Sequence, residues 1–240
     1  MDLTENAINK ILSLATIEEM EIDGRKYTTG VMHPVFEPIP APLTVNTLTG
    51  FVDYTEKCGE DFLQAVVQVV NHSKVSLVSK LLGKFEQRKE YVVATTDMYP
   101  NAFTYGSYYS TEKFLIALQT HFEEGWDRAN ILKLVGNIRD EKVNTVADDG
   151  ISQQVTAKVG VAYVETADVP NPVTLAPYRT FREVEQPASK FVFRMKPGAE
   201  GELPTCALFE ADGSVWKISA VKLIRDFLSE KVSKDIPILA

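Results

Sequence analysis

Sulfur and imidazole are scarce in this chain, with two cysteines and three histidines among 240 residues. Cys58 and Cys206 make at most one long-range bridge, so a disulfide scaffold is excluded. A chain of this length hides roughly 70–75% of its unfolded surface and needs no such staple. Two reduced, buried thiols are the expectation. His33, His72 and His121 have neither the i, i+4 spacing nor a nearby cysteine that a zinc or iron site needs, so no metal is expected. No run of about 18 apolar residues occurs, which excludes a membrane-spanning helix. The stretch Asp2 to Ala15 carries Asp2, Glu5 and Lys10 and lacks the basic start and apolar middle of a secretory signal. The expected compartment is the cytoplasm, and the sequon Asn71-His72-Ser73 is then a chance match. Excess positive charge is missing too. Lys and Arg total 25 against 33 Asp and Glu, a net −8 shared as −5 over 1–120 and −3 over 121–240. Neither half offers a basic tail for phosphates. The glycine-rich phosphate loops G-x-x-x-x-G-K-[ST] and G-x-G-x-x-G are absent as well, and no cofactor is expected.

What is present is the composition of a globular protein, 45% hydrophobic and 24% charged, which rules out disorder and collagen-like structure. Leu3, Ala7, Ile8, Ile11 and Leu12 recur at helical spacing, with Asp2 and Glu5 placed as a capping box. Asp23-Gly24 between Met20/Ile22 and Tyr27 is a strong hairpin signal. Pro34, Pro38, Pro40 and Pro42 then fix an extended connector. Thr47 to Cys58 reads as a helix stopped by Gly59. The valine-rich run Leu63 to Val70 reads as a strand buried on both faces. Further strands are expected over Val75–Leu82 and Tyr91–Thr96. Two helices follow, with Phe114, Leu115, Leu118 and Phe122 on the first and Ile131, Leu134, Val135 and Ile138 on the second. Ser110 and Asp127 are placed to cap them, and Gly125 lies between.

From Glu141 the period changes to 2. Val155, Ala157, Val159, Val161 and Tyr163 alternate with polar residues as one strand, which Asp149-Gly150 turns the chain into. Phe191, Phe193 and Met195 alternate in another strand, and Leu203–Phe209 makes the next. Asp212-Gly213 is expected to close a hairpin onto a strand Val215–Ile218. Ser219 would then cap a final helix with Val221, Ile224, Phe227 and Leu228 inward. Segregated blocks of helices and strands predict an α+β fold. It comprises a mixed sheet with a helical hairpin, then an antiparallel meander closed by a helix. Residues 1–44 form a helix, hairpin and connector, 45–140 one half and 141–240 the other; the two halves are separate domains or one.

The patterns that carry chemistry are few. Ser110/Lys113 and Ser219/Lys222 match the S-x-x-K of serine acyl enzymes, but each serine is better explained as a helix cap and the accompanying motifs are missing. The acidic pairs Glu18/Glu19, Glu123/Glu124, Asp140/Glu141 and Asp148/Asp149 lack cation-loop spacing. No catalytic residue is therefore assigned. The most unusual segment is Met98 to Tyr109, five of whose twelve residues are aromatic: Tyr99, Phe103, Tyr105, Tyr108 and Tyr109. Rings on a loop either stack on a ligand or pack down over a sheet edge. Lys84 and Arg88, with Lys74, Lys80 and Lys89, lie just upstream. Basic charge beside aromatics fits single-stranded nucleic acid. These aromatics with Lys84 and Arg88 are the candidate binding residues.

The order of elements resembles a known group. Glu112-Lys113-Phe114-Leu115-Ile116-Ala117-Leu118 is followed by Asn130-Ile131-Leu132-Lys133-Leu134, then Lys142-Val143 and the alternating strand to Tyr163. Pro177-Tyr178, Phe191-Val192-Phe193-Arg194-Met195 and the closing helix complete the series. Over roughly residues 45–232 this is similar to the YfdQ-like family of uncharacterised phage and prophage proteins. The resemblance implies a phage or prophage origin and a bacterial host cytoplasm, and supplies no activity or catalytic residues. The resulting expectation is a non-enzymatic phage accessory protein that binds an unknown phage or host protein and self-associates. The alternatives are a shell- or particle-forming protein and a single-stranded nucleic-acid accessory factor.

Overall fold

A computed structural model of the chain describes residues 4–15, 18–28, 34–58, 62, 64–96, 102–137, 171–197 and 203–240, together with the backbone of three strands between 143 and 169. Helix α1 (Glu5–Ala15) begins where the Thr4 hydroxyl accepts the Ala7 amide at 3.4 Å. Thr4 thus takes the capping position expected of Asp2, which lies outside the described residues. Strands β1 (Glu19–Ile22) and β2 (Arg25–Thr28) pair through the Asp23-Gly24 turn, whose φ values of 52° and 72° are the left-handed pair that a two-residue hairpin requires. The arm meets the rest of the molecule where Lys84 Nζ donates to the Gly24 carbonyl and where the Phe36 and Phe85 rings lie 5.1 Å apart. Beyond the prolines, β3 (Leu43–Val45) is followed by α2 (Leu48–Lys57), capped by the Thr47 hydroxyl accepting from Gly50 N at 3.0 Å. The glycine expected to stop it, Gly59, lies outside the described residues.

Strands β4 (Val66–Asn71), β5 (Lys74–Val78) and β6 (Glu90–Thr95) are antiparallel, and β3 adds in parallel beside β6. The valine run of β4 is not buried on both faces: Val67 and Val69 point into the core while Gln68 and Val70 face outward. Helical cover on one face of this sheet only is the reason. The β4–β5 turn is held by the Asn71 carboxamide oxygen, which accepts from the Ser73 amide and hydroxyl at 2.8 and 2.9 Å.

After β7 (Tyr109–Ser110) come α3 (Thr111–His121) and α4 (Arg128–Asn137). Ser110 sits at the cap position of α3, yet its hydroxyl bonds no amide there. Asp127 precedes α4, but its carboxylate accepts from Thr174 N at 2.7 Å. Strands β8 (Val143–Asp148), β9 (Gln153–Val159) and β10 (Tyr163–Val169) form an antiparallel meander. The alternation from Val155 to Tyr163 is therefore divided between two strands, not carried on one. The Asp149-Gly150 turn and Ile138 lie outside the described residues.

Strands β11 (Val173–Leu175), β12 (Ser189–Lys196) and β13 (Thr205–Glu210) then build a sheet in the order β11-β12-β13-β7. The chain does not form a hairpin after Asp212-Gly213. It turns straight into α5 (Trp216–Lys231), with Asp212 accepting from Ser214 N at 3.0 Å. Trp216, Ala220, Ile224 and Leu228 recur every fourth residue on the buried face, and that stripe outweighs the local β-preference of Val215 and Ile218. Ser219 consequently lies inside the helix and caps nothing. Last, β14 (Ile238–Leu239) adds in parallel beside β4.

The fold is α+β, with two cores among the described residues. The helical pair packs on the antiparallel sheet, joining Phe114, Leu118 and Ile131 to Phe191, Phe193 and Leu208; it does not cover the mixed sheet, as the element order suggested. Helices α2 and α5 cover that one, joining Leu48 and Phe51 to Val67, Leu77, Ile224 and Leu228. Because α3, α4 and β7 pair with later strands while α5 and β14 return to earlier ones, a boundary near residue 140 separates neither core. No described helix is long and apolar enough to cross a membrane.

Both cysteines are free, Cys206 buried as expected and Cys58 exposed against expectation, since it ends α2 on the solvent side. Burial pushes the Cys206 thiol up to about 12, and the thiolate is the reactive form. A thiol reagent at pH 8 should therefore modify one equivalent quickly and the second only after denaturation; two fast equivalents would contradict this packing.

Candidate functional site

The segment between β11 and β12, residues 176–188, is a strap across the junction of the two cores. Its anchor is Gln186, a buried side chain with every amide valence used. Oε1 accepts from Arg179 N and Thr180 N at 2.9 and 3.2 Å, and Nε2 donates to the carbonyls of Phe181 and Val184 at 2.9 and 3.1 Å. Phe181 and Val184 enter the mixed-sheet core. Tyr178 N donates to the His121 carbonyl at 2.9 Å, and the Thr180 hydroxyl donates to the His72 carbonyl. Glu183 Oε1 accepts from Thr49 N at 3.1 Å. The strap is thus tied to α2, α3 and the β4–β5 turn.

Along it opens a cleft of about 730 Å³, within the roughly 300–1,000 Å³ of small-molecule sites. Its walls are aromatic: Phe103, Tyr105, Tyr178, Phe181 and Trp216. Arg179 is the central charge. Its side chain is 10% exposed, and Nη1 lies 2.8 Å from Glu210 Oε1. Nη2 donates to the Ser189 hydroxyl. The guanidinium carbon stands 3.9 Å from the Trp216 ring centroid and 5.7 Å from that of Phe191, so the charge is stacked as well as paired. His72 meets Trp216 edge to face at 4.7 Å. Burial, and then the Lys217 and Arg179 cations, hold the His72 imidazole below its ordinary value. It is neutral at pH 7. Burial drives the Tyr105 hydroxyl upward, so it stays protonated. At the rim, the Arg182 guanidinium lies 3.7 Å over the Tyr178 ring. The carboxylates here are engaged, Glu210 by Arg179 and Glu183 by the Thr49 amide. What remains is an apolar slot edged by cations and N–H donors.

The residues picked from the sequence are divided by the fold. Phe103 is buried, stacked on Tyr109 at 4.9 Å and edge-on to Phe122 at 5.3 Å. Tyr105 stacks on Phe191 at 5.3 Å and forms a cleft wall with Phe103. The Tyr109 hydroxyl accepts from Thr104 N at 2.8 Å. Tyr108 is exposed, with the Lys196 ammonium 4.0 Å above its ring. Tyr99 lies outside the described residues. Most of these rings pack down and cover one another's faces. Lys84 and Arg88 belong to a different surface, where Lys84 holds Gly24 and Arg88 Nη1 donates to the Ser79 carbonyl at 2.8 Å; neither lines the cleft.

Arg179, Trp216, Lys217 and Gln186 went unnoticed in the sequence, and His72 was weighed only as a metal ligand and as part of a sequon. The one local signal was the pair of arginines in Tyr178-Arg179-Thr180-Phe181-Arg182, directly after a proline in an otherwise apolar stretch. Among the described residues, no three His, Cys, Asp or Glu side chains gather as metal ligands would. Compared with protein-family models, with characterised proteins and with solved structures, the chain matches none.

Proposed function

We propose that this chain is a non-enzymatic binding protein that works by self-association, through its amino-terminal arm. The observation that carries the reading is α1. Ile8, Ile11 and Leu12 share one face of this helix and are 44%, 55% and 59% exposed. Met20 and Ile22 of the adjoining hairpin are exposed as well. An isolated helix shorter than about 12–15 residues is marginal in water, and helices in proteins are held chiefly by packing of the apolar face. α1 has 11 residues, and its apolar face is largely exposed among the described residues. A second copy of the chain is the occupant we commit to. The helix carries one Glu and one Lys, so the self-repulsion of a −8 protein does not fall on it, and copies exchanging arms bury equivalent faces. A helix, a hairpin and an added edge strand on one arm are also parts suited to a closed shell, the stronger form of the same reading. A phage or prophage accessory role in a bacterial host cytoplasm is the setting that the family resemblance suggests for it.

Light scattering behind size-exclusion chromatography tests this. The wild-type chain should run as an oligomer at micromolar concentration, and Ile11→Glu/Leu12→Glu should run as a monomer with its thermal unfolding intact, since both side chains are more than half exposed. A wild-type monomer at every concentration would overturn the proposal; electron micrographs without closed particles would remove the shell form alone.

A further inference from the structure

We infer that the cleft along the 176–188 strap binds a small ligand made of a planar aromatic body bearing one anionic group, a phosphate or a carboxylate. This goes beyond self-association and uses a different surface. The aromatic walls supply apolar faces for a flat ring system, which gains both burial and stacking there.

The cationic edge selects the charge. Lys217, exposed at the first turn of α5, makes no ion pair among the described residues and reaches only the Trp216 ring, at 5.8 Å. Arg182 stands on Tyr178 at the rim. Two buried donors in the lining, Arg179 Nε and Trp216 Nε1, have no acceptor among the described residues. Unpaired N–H groups in a low-dielectric site leave the positive ends of their dipoles uncompensated until an acceptor or an anion arrives. Burial first, and then Lys217 and Arg179, lower the basicity of His72, so these two cations are felt within the cleft. In a chain of net −8, a lining with three cations, Arg179, Arg182 and Lys217, against two carboxylates, Glu183 and Glu210, is a local exception. Neutral ligands gain from the walls alone, whereas anions gain from walls and edge together.

Isothermal titration of the full chain tests the inference with two matched pairs: a nucleoside 5′-monophosphate against its nucleoside, and an aromatic carboxylate against its amide. At least one anion should bind with Kd below about 100 µM, at least tenfold tighter than its neutral partner, and raising salt from low to physiological should weaken it several-fold. The better of the two pairs identifies phosphate or carboxylate as the anion. Lys217→Ala should weaken binding about three- to tenfold with unfolding unchanged, because the side chain is exposed. Trp216→Phe keeps a ring but removes the indole donor and should weaken the anion more than its neutral partner. Equal affinity for anion and neutral, indifference to Lys217→Ala, or no heat from any of the four at millimolar concentration would overturn the inference. Repeating the titration on Ile11→Glu/Leu12→Glu separates the outcome from self-association, since the cleft should bind equally well in the monomer.

Discussion

Gln186→Leu is expected to lower folding stability by about 4 kcal/mol, although it replaces a polar side chain in a core by an apolar one of similar size. The side chain is 2% exposed, and its amide completes four hydrogen bonds to the backbone of residues 179–184. Leucine would take the side-chain partner from the Arg179 and Thr180 amides and the Val184 carbonyl in a place water does not reach, and would leave the Phe181 carbonyl only its long bond from Val184 N at 3.4 Å. Net loss of about 0.5–1.5 kcal/mol per bond, or more where the group stays buried, makes the total large. For a protein of this size, that is a fall in Tm of roughly 8–16 °C. Gln186→Glu tests the same logic from another side. It keeps the acceptor oxygen but buries a carboxyl, which desolvation holds neutral in the folded state. A carboxyl whose folded value lies above its unfolded one stabilises below the unfolded value, and that contribution is lost as pH rises through the folded one. The Glu variant should therefore lose more stability at pH 8 than at pH 5. A fall of less than about 1 kcal/mol for the Leu variant, by denaturant unfolding, would mean that the strap is not held as described.

The second large effect concerns the two cores. Phe193 is fully buried and stacks on Phe114 at 5.6 Å; Leu77 is fully buried in the mixed-sheet core. Phe193→Ala should cost about 3–5 kcal/mol and Leu77→Ala about 2–5 kcal/mol, from lost transfer energy and the cavities left behind. The way they lower stability is the more informative result. The strap begins at β11 in one core and puts Phe181 and Val184 into the other, and β13 runs directly into α5, which covers the mixed sheet. A core that melts withdraws support from its neighbour. Both variants should accordingly shift one shared transition in calorimetry. Two separated transitions, each moved by only one substitution, would contradict this coupling.

Much of the local structure was legible without coordinates. Asp23-Gly24 makes its turn because both residues tolerate left-handed backbone and the decision lies within four residues. The helix expected over Thr47 to Cys58 is α2, although Thr47 is its cap and not its first turn. Phe191, Phe193 and Met195 face inward because a strand has a period of two and one face of that sheet is covered. Errors came where the deciding neighbour is distant. The valines of β4 carry no mark of a second, open face. Val215–Ile218 has β-branched residues that favour a strand, yet Trp216 is the first member of a helical stripe whose partners are the mixed-sheet core.

The candidate site was less legible still. Arg179 is defined by Glu210, Ser189, Trp216 and Phe191, which come from two strands and a helix, and nothing near it in the chain names them. The aromatic loop was conspicuous by composition, but which ring faces are open depends on what packs above them, and here Phe191, Phe122 and the loop's own rings do.

The order of residues by itself determined the kind of element at most positions and the α+β class, because turn geometry, helix caps and side-chain periodicity act over a few residues. Only tertiary structure decided which sheet the helical pair covers, that β14 and β3 join the mixed sheet in parallel, and that an aromatic cleft with Arg179 at its centre opens along the strap. Burial and charge pairing are properties of groups brought together across long stretches of chain, and no short window of sequence contains both partners.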